Sequence, residues 1–281
     1  MTTHICQSRE VEQALIEDGV VKIPFLDRGQ LVELQAFQRA IHPNGQLPKV
    51  YDNIYMTTWC PDSEYKLAIK QKIEGIFAQA YARHFQHFRS LNHVFIIKNP
   101  GQETTFAIHQ DWSVVDETRW PSYNIWVPLQ DVDEDSGAMW IIKKSHRLTA
   151  NIRGAGQLFP NYMDSMEELR PYMTSFPMKA GEALVFRHST IHGSPPNLSN
   201  QPRVVAASSI IPKEAELRIH YQAIGGEQIE VVSPADDFIY NYKSLREESV
   251  KAPPPGQKLE QIPASDYRQL SITEILEEIS A

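Results

Sequence analysis

The run Asn92-His93-Val94-Phe95-Ile96-Ile97-Lys98, closed by Asn99-Pro100-Gly101 and followed by Thr105-Phe106-Ala107-Ile108-His109, decides the architecture. It marks a change of period. Upstream, between residues 61 and 89, Ile69, Ile73, Ile76, Phe77, Ala80 and Tyr81 recur mostly at spacings of three and four, which gathers them on one face of a helix. Two shorter helices are expected over 8–18 and 30–41, with a strand over 19–24 between them. Downstream the pattern turns to short β-rich runs over 93–98, 105–109, 123–129, 138–142, 183–187, 203–211, 217–221 and 228–232. Turn clusters such as Asp133-Glu134-Asp135-Ser136-Gly137 and Lys179-Ala180-Gly181-Glu182 separate them. A helical lead-in followed by such a strand series predicts a mainly β fold, a jelly-roll (double-stranded β-helix, cupin-like) core packed against α-helices. We expect one domain over 1–281: lead-in to about 90, core over 92–232 and a C-terminal extension over 233–281 with an amphipathic helix at 272–279. Residues 149–177, interrupted by Pro160 and Pro171, read as a long insertion or lid.

The composition narrows the partners. With 42% hydrophobic and 22% charged residues among 281, the chain suits a folded domain with a sizeable core. Its formal charge of −8 disfavours nucleic acid and anionic membranes, and Lys143-Lys144 is too short to offset that. Two cysteines, Cys6 and Cys60, supply neither a disulfide framework nor a thiolate zinc site. The polar start, the lack of a long apolar stretch and this cysteine usage lead us to expect a cytoplasmic protein. The sequon Asn197-Leu198-Ser199 is then accidental.

His109-Gln110-Asp111 is the one His-x-Asp in the sequence. On a strand, residues two apart point to the same face, so imidazole and carboxylate can meet one ion. On a surface strand the same pair is ordinarily solvated. A second cluster, Phe186-Arg187-His188-Ser189-Thr190-Ile191-His192-Gly193-Ser194, follows a distant strand and offers a third ligand. Two histidines and a carboxylate on one side of an ion leave three adjacent positions open, the arrangement of iron(II) oxygenases. Spacing alone leaves His188 and His192 in competition; the one that does not ligate would support the site or pack in the core. Arg203 opens the apolar run Val204-Val205-Ala206-Ala207, with no acidic neighbour in sequence. A guanidinium there needs a partner, and a bound carboxylate would provide one; otherwise it reaches solvent from the strand end.

In its order and spacing of motifs the chain resembles the phytanoyl-CoA dioxygenase family of 2-oxoglutarate-dependent oxygenases. The pieces are Asp18-Gly19-Val20-Val21, Ile97-Lys98-Asn99-Pro100-Gly101, His109-Gln110-Asp111-Trp112 and Trp126-Val127-Pro128-Leu129-Gln130-Asp131-Val132. Further on come Ser136-Gly137-Ala138, Ser145-His146, Gly181-Glu182-Ala183-Leu184-Val185-Phe186, His192-Gly193-Ser194-Pro195-Pro196-Asn197 and Arg203. The resemblance spans about 17–221. It implies iron(II) on His109, Asp111 and His192, because the family places its arginine eleven positions after the distal histidine. It further implies 2-oxoglutarate with its distal carboxylate on Arg203 and Ser194, Trp126 lining that site, and dioxygen as oxidant, with release of succinate and carbon dioxide. Asp111 in place of a small residue points to hydroxylation of an unactivated C–H bond rather than halogenation. Desaturation, epimerisation and cyclisation use the same triad. Lys143-Lys144 replaces the family's Pro-Gly before Ser145-His146, and His146 there reads as structural. The other readings are a jelly-roll binding protein without turnover and a cupin-type metal enzyme without the oxoacid. The substrate pocket is expected between 51–56, 149–177 and 220–242, rich in Tyr51, Tyr55, Phe159, Tyr162, Tyr221, Phe238, Tyr240 and Tyr242. Arg187 or Lys98 is a candidate for recognising an acidic group.

Overall fold

A computed structural model describes residues 4–48, 51, 53–149 and 152–280. Asp52 and residues 150–151, inside two of the expected pocket walls, lie outside the described residues. The lead-in runs α1 (Arg9–Glu17), β1 (Val20–Pro24), α2 (Arg28–Ile41), β2 (Ile54–Met56) and α3 (Ser63–His84). The middle runs β3 (Phe88–Lys98), β4 (Phe106–His109), β5 (Tyr123–Pro128), β6 (Met139–Ile142), β7 (Gly154–Gly156), α4 (Met166–Leu169), β8 (Met173–Phe176), β9 (Glu182–Arg187), β10 (His192–Ser194) and β11 (Arg203–Pro212). Last come β12 (Ile219–Gln222), β13 (Gln228–Pro234), α5 (Phe238–Asn241), α6 (Leu245–Glu248), β14 (Gly256–Pro263) and α7 (Ile272–Ser280).

A six-stranded antiparallel sheet in the order β1-β9-β5-β11-β3-β2 faces a four-stranded sheet in the order β4-β10-β6-β8, which is the expected jelly roll. A third sheet, β14-β13-β12-β7, flanks them, with β7 parallel to β12. Strand alternation assigns the two faces of the large sheet. Tyr123, Ile125 and Val127 of β5 turn outward with Phe95, Val185 and Ala206, and α3 lays Ile69, Ile73, Phe77 and Ala80 on them. Each such fully buried aliphatic or aromatic side chain contributes about 1.5–3 kcal/mol. Trp126, Leu184, Phe186 and Val205 turn inward, toward Met139 and Ile141 of the small sheet. The site lies between these sheets.

Three expectations need correction. The long helix stops at His84 rather than near 89, because Phe85 is already extended and its N–H closes the last turn on Tyr81. His87 then takes a left-handed φ of 49° and turns the chain into β3. Residues 149–177 are not a free lid: they contain β7 and β8, the latter paired along β6. Third, the strand series does not end at 232: β14, a strand the apolar pattern missed because its residues are mostly exposed, pairs along β13.

The loop after β6 carries the two lysines in a tight turn. Lys144 sits at φ 67°, the left-handed conformation that a glycine there would adopt without strain. Its partner surface is Gly19 (φ 77°), where a Cβ would stand 2.4 Å from the ring of His146. That imidazole is buried and bonds the Ile16 carbonyl at 2.9 Å, a structural role.

Candidate metal centre

Antiparallel pairing sets His192 of β10 directly opposite His109 of β4. Each imidazole is fixed through Nδ1 on a carbonyl two residues back, His109 on Ala107 at 2.7 Å and His192 on Thr190 at 2.9 Å. That leaves both Nε2 atoms inward, each 3.5 Å from a different oxygen of Asp111. The ligating atoms of the three residues all lie within 4.8 Å of one another. Among the described residues this is the one His/Cys/Asp/Glu cluster able to hold a metal. Phe106 and Phe159 flank the His109 ring, and Phe186 flanks that of His192.

Asp111 is not on the strand that carries His109. β4 ends at His109, and Asp111 is held by other bonds: its N–H donates to the His188 carbonyl at 3.0 Å, and Arg153 Nε donates to its own carbonyl at 2.7 Å. Arg153 is wholly buried and paired with both oxygens of Glu117, at 2.7 and 2.8 Å. The carboxylate accepts from the side-chain amide of Asn124, whose own oxygen meets Ser209 Oγ and His188 Nε2, both at 3.0 Å. His188 therefore stands behind the site, orienting the amide that orients Asp111; His192 is the histidine that faces the carboxylate. Burial would raise the Asp111 pKa, but His192 and His109 outweigh it and hold the carboxyl well below its usual range. Burial lowers His192 and His188 to about 4, so both rings are neutral near pH 7 and His192 keeps its lone pair for a metal.

Arg203 lies at the start of β11 and is 3% exposed. Its guanidinium donates to the Gly137 carbonyl and lies 5.2 Å from the centre of the Trp126 ring. Its Nε has no partner, and no carboxylate pairs with Arg203 among the described residues. Cross-strand register puts Lys98 beside it. Lys98 is fully buried, donating to Ser194 Oγ at 2.6 Å and to the Pro195 carbonyl at 2.7 Å. Burial and the neighbouring guanidinium push its pKa down to about 5, and burial alone takes Arg203 to about 9. A desolvated guanidinium without an anion, beside a buried lysine whose proton an incoming carboxylate would stabilise, forms a receptor for a carboxylate. Arg203, Ser194 and Trp126 all line a deep chamber of about 130 Å³ together with the three clustered residues.

This chamber opens into an outer one of about 500 Å³ that shares His109, Asp111 and Asn124. Of the aromatics expected there, Phe159 and Phe238 line it, together with Trp59, Phe106 and Trp112. Tyr55, Tyr162, Tyr221, Tyr240 and Tyr242 are buried elsewhere; Tyr55, for example, reaches Tyr65 in the core. Arg187 lies near the outward-facing Tyr123 ring and lines neither chamber. Sequence reading missed Asn124, whose signal was its inward parity with Trp126 on β5. It also gave Lys98 a different task, although its apolar strand matches that of Arg203. Asn197 is buried, its amide bonding the Lys98 and Gln201 carbonyls, which suits a fold position rather than a glycan.

Residues 20–205 match the sequence profile of a family described as phytanoyl-CoA dioxygenase (PhyH). An Arabidopsis thaliana protein named phytanoyl-CoA dioxygenase is 29% identical over 113 residues, 39% of this chain; the match spans about 40% of that relative's length. Solved structures share the fold at low identity. The non-heme alpha-ketoglutarate-dependent carbocyclase SnoK from nogalamycin biosynthesis is 18% identical with a TM-score of 0.54, covering 75% of this chain and 87% of that one. HygX from Streptomyces hygroscopicus, solved with nickel, 2-oxoglutarate and hygromycin B, is 16% identical with a TM-score of 0.54, covering 78% and 92%. No helix among the described residues is long and apolar enough to cross a membrane.

Proposed function

We propose that this chain, which belongs to the phytanoyl-CoA dioxygenase family, is an iron(II)- and 2-oxoglutarate-dependent dioxygenase that hydroxylates an unactivated C–H bond of a small or mid-sized organic molecule. The carrying observation is the pairing of a facial His-Asp-His cluster with a buried, unpaired guanidinium in one chamber. The donor set fits the ion: two imidazoles and one carboxylate suit iron(II) and leave adjacent positions free. His109, Asp111 and His192 would hold it. When bound, iron(II) with 2-oxoglutarate and dioxygen supplies the oxidation, one oxygen atom entering succinate and the other the substrate hydroxyl, with loss of carbon dioxide.

The remaining work belongs to the side chains. Arg203 and Lys98 would take the distal carboxylate of the oxoacid, with Ser194 held between them and Trp126 fixing the guanidinium plane. Asn124 keeps Asp111 turned toward the two imidazoles. Phe106 and Phe159 shield the junction of the chambers, where the reacting C–H bond would stand.

Iron-loaded protein screened against candidate substrates should release succinate above its uncoupled background. Under ¹⁸O₂, the product should carry one labelled oxygen. A product formed without oxygen incorporation would move the reaction to desaturation, epimerisation or cyclisation. Succinate at background across substrates that bind would support a non-catalytic binding role.

A further inference from the structure

We propose that Arg153 is a positioning residue for the metal carboxylate: held by Glu117 and by β7, it fixes the main chain from which Asp111 reaches the cluster. This rests on the dioxygenase reading, which makes Asp111 an iron ligand. A side chain leaves its Cα in a direction set by the two peptide planes on either side. On a strand the ladder fixes both planes, but β4 ends at His109 and Asp111 lies beyond it. The first plane is held where the Asp111 N–H donates to the His188 carbonyl at 3.0 Å, the second where Arg153 Nε donates to the Asp111 carbonyl at 2.7 Å. Released from Arg153, the second plane can turn about the Cα, and the carboxylate loses its fixed root.

Arg153 is itself firmly anchored. Its guanidinium is wholly buried and donates to both oxygens of Glu117, at 2.7 and 2.8 Å. Its main chain is stitched to Ser113, whose N–H and Oγ both donate to the Arg153 carbonyl, at 3.1 and 2.9 Å. The next residues are β7, which runs parallel along β12, so close that a Cβ on Gly154 would stand 2.0 Å from the His220 carbonyl oxygen. Gly154, Ala155 and Gly156 also line the outer chamber, as do Trp112 and Val114 from the stretch after Asp111. Arg153 thus ties a wall of the outer chamber to the metal ligand. A buried ion pair adds little net stability over well-packed apolar side chains. What this one supplies is direction: the planar fork of a guanidinium aims one donor at Glu117 and another at the Asp111 carbonyl, which a lysine ammonium does not.

Two variants separate positioning from stability. Arg153→Lys keeps a charge for Glu117 and loses the fixed fork; Arg153→Met combined with Glu117→Leu replaces the pair by apolar side chains of similar volume. Both should fold, with circular dichroism and a denaturation midpoint close to those of the wild type. Both should nevertheless bind iron(II) about 10–100-fold more weakly in anaerobic competition with a chelator. With 2-oxoglutarate added, the visible charge-transfer band of the iron complex should shift, a change that a purely structural pair would not produce in a folded variant. Wild-type affinity and band position in either folded variant would overturn the proposal. Failure of both variants to fold would overturn it too, since the pair would then be structural. The wild type distinguishes the two readings. If it takes up no iron(II), the dioxygenase assignment falls and the proposal with it; if it takes up iron(II) and the variants do so equally well, only the proposal falls.

Discussion

The deep and the outer chamber share a wall yet are built differently. The deep one is made by strand side chains: Arg203 of β11, Trp126 and Asn124 of β5, and Ser194 of β10 beside the buried amine of Lys98. Pleating fixes where such residues point, so a guanidinium and a buried lysine can be held in a dry site with little freedom. The outer chamber is four times larger in outline and draws on Trp59, on the β7 segment and on residues 236–250 beyond the jelly roll. On its wall Asp236 is paired with Arg89, and the Arg246 guanidinium packs on the Tyr51 and Trp59 rings. One region is thus shaped for a small dianion held by electrostatics, the other for apolar surface held by shape. A rigid oxidant site can in this way serve whatever molecule the surrounding segments admit.

Substitutions can break that contrast, and the largest effect is expected at Arg203. Arg203→Ala should weaken 2-oxoglutarate binding by at least about 100-fold, the scale of losing one partner of a desolvated charge pair, while the outer chamber still binds apolar probes. Equal losses in both chambers would mean a general collapse of the fold. Asn124→Ala should lower iron(II) affinity about 10–100-fold, as removal of a group that orients a metal ligand does, with the protein still folded by circular dichroism.

Lys98→Met should cost less, about tenfold in 2-oxoglutarate binding, on the order of one charge-assisted hydrogen bond. Its signature is a pH dependence. Lys98 has a folded pKa near 5 against an ordinary value of 10.5. Between those values the unfolded chain binds the extra proton, so stability rises with pH across the window and falls as pH drops toward 5. Denaturant unfolding at several pH values should find that slope in the wild type and a flatter one in Lys98→Met. An unchanged slope would show that the ammonium keeps its proton, held by Ser194 and Pro195.

Much of the deep chamber was legible because its residues obey strand parity or carry charge into apolar runs. Arg203 headed an apolar strand; His109 and Asp111 stood two apart, although β4 ends at His109 and it is the His188 and Arg153 bonds, not strand parity, that bring the carboxylate round. Deciding between His188 and His192 needed either the family resemblance or the coordinates, since both follow the same strand. Asn124 was illegible as a site residue, because an asparagine on a strand looks like any polar neighbour until its partners are known. The outer wall escaped for another reason. Tyr55 and Tyr240 lie in segments expected there, but on the short elements β2 and α5 their side chains point into the core, and local sequence does not encode which face of so short an element is buried. In the lead-in, the apolar period of α3 was clear, while its end depended on Phe85 and His87, residues with no breaker signal.

The most direct test of the convergence of His109, Asp111 and His192 with Arg203 is an anaerobic titration of the iron(II)-loaded protein with 2-oxoglutarate, followed in the visible range. A saturable metal-to-ligand charge-transfer band should appear in the wild type, need higher oxoacid concentration in Arg203→Ala, and be lost in Asp111→Ala. Iron binding without such a band, or a band that survives Asp111→Ala at full strength, would contradict it.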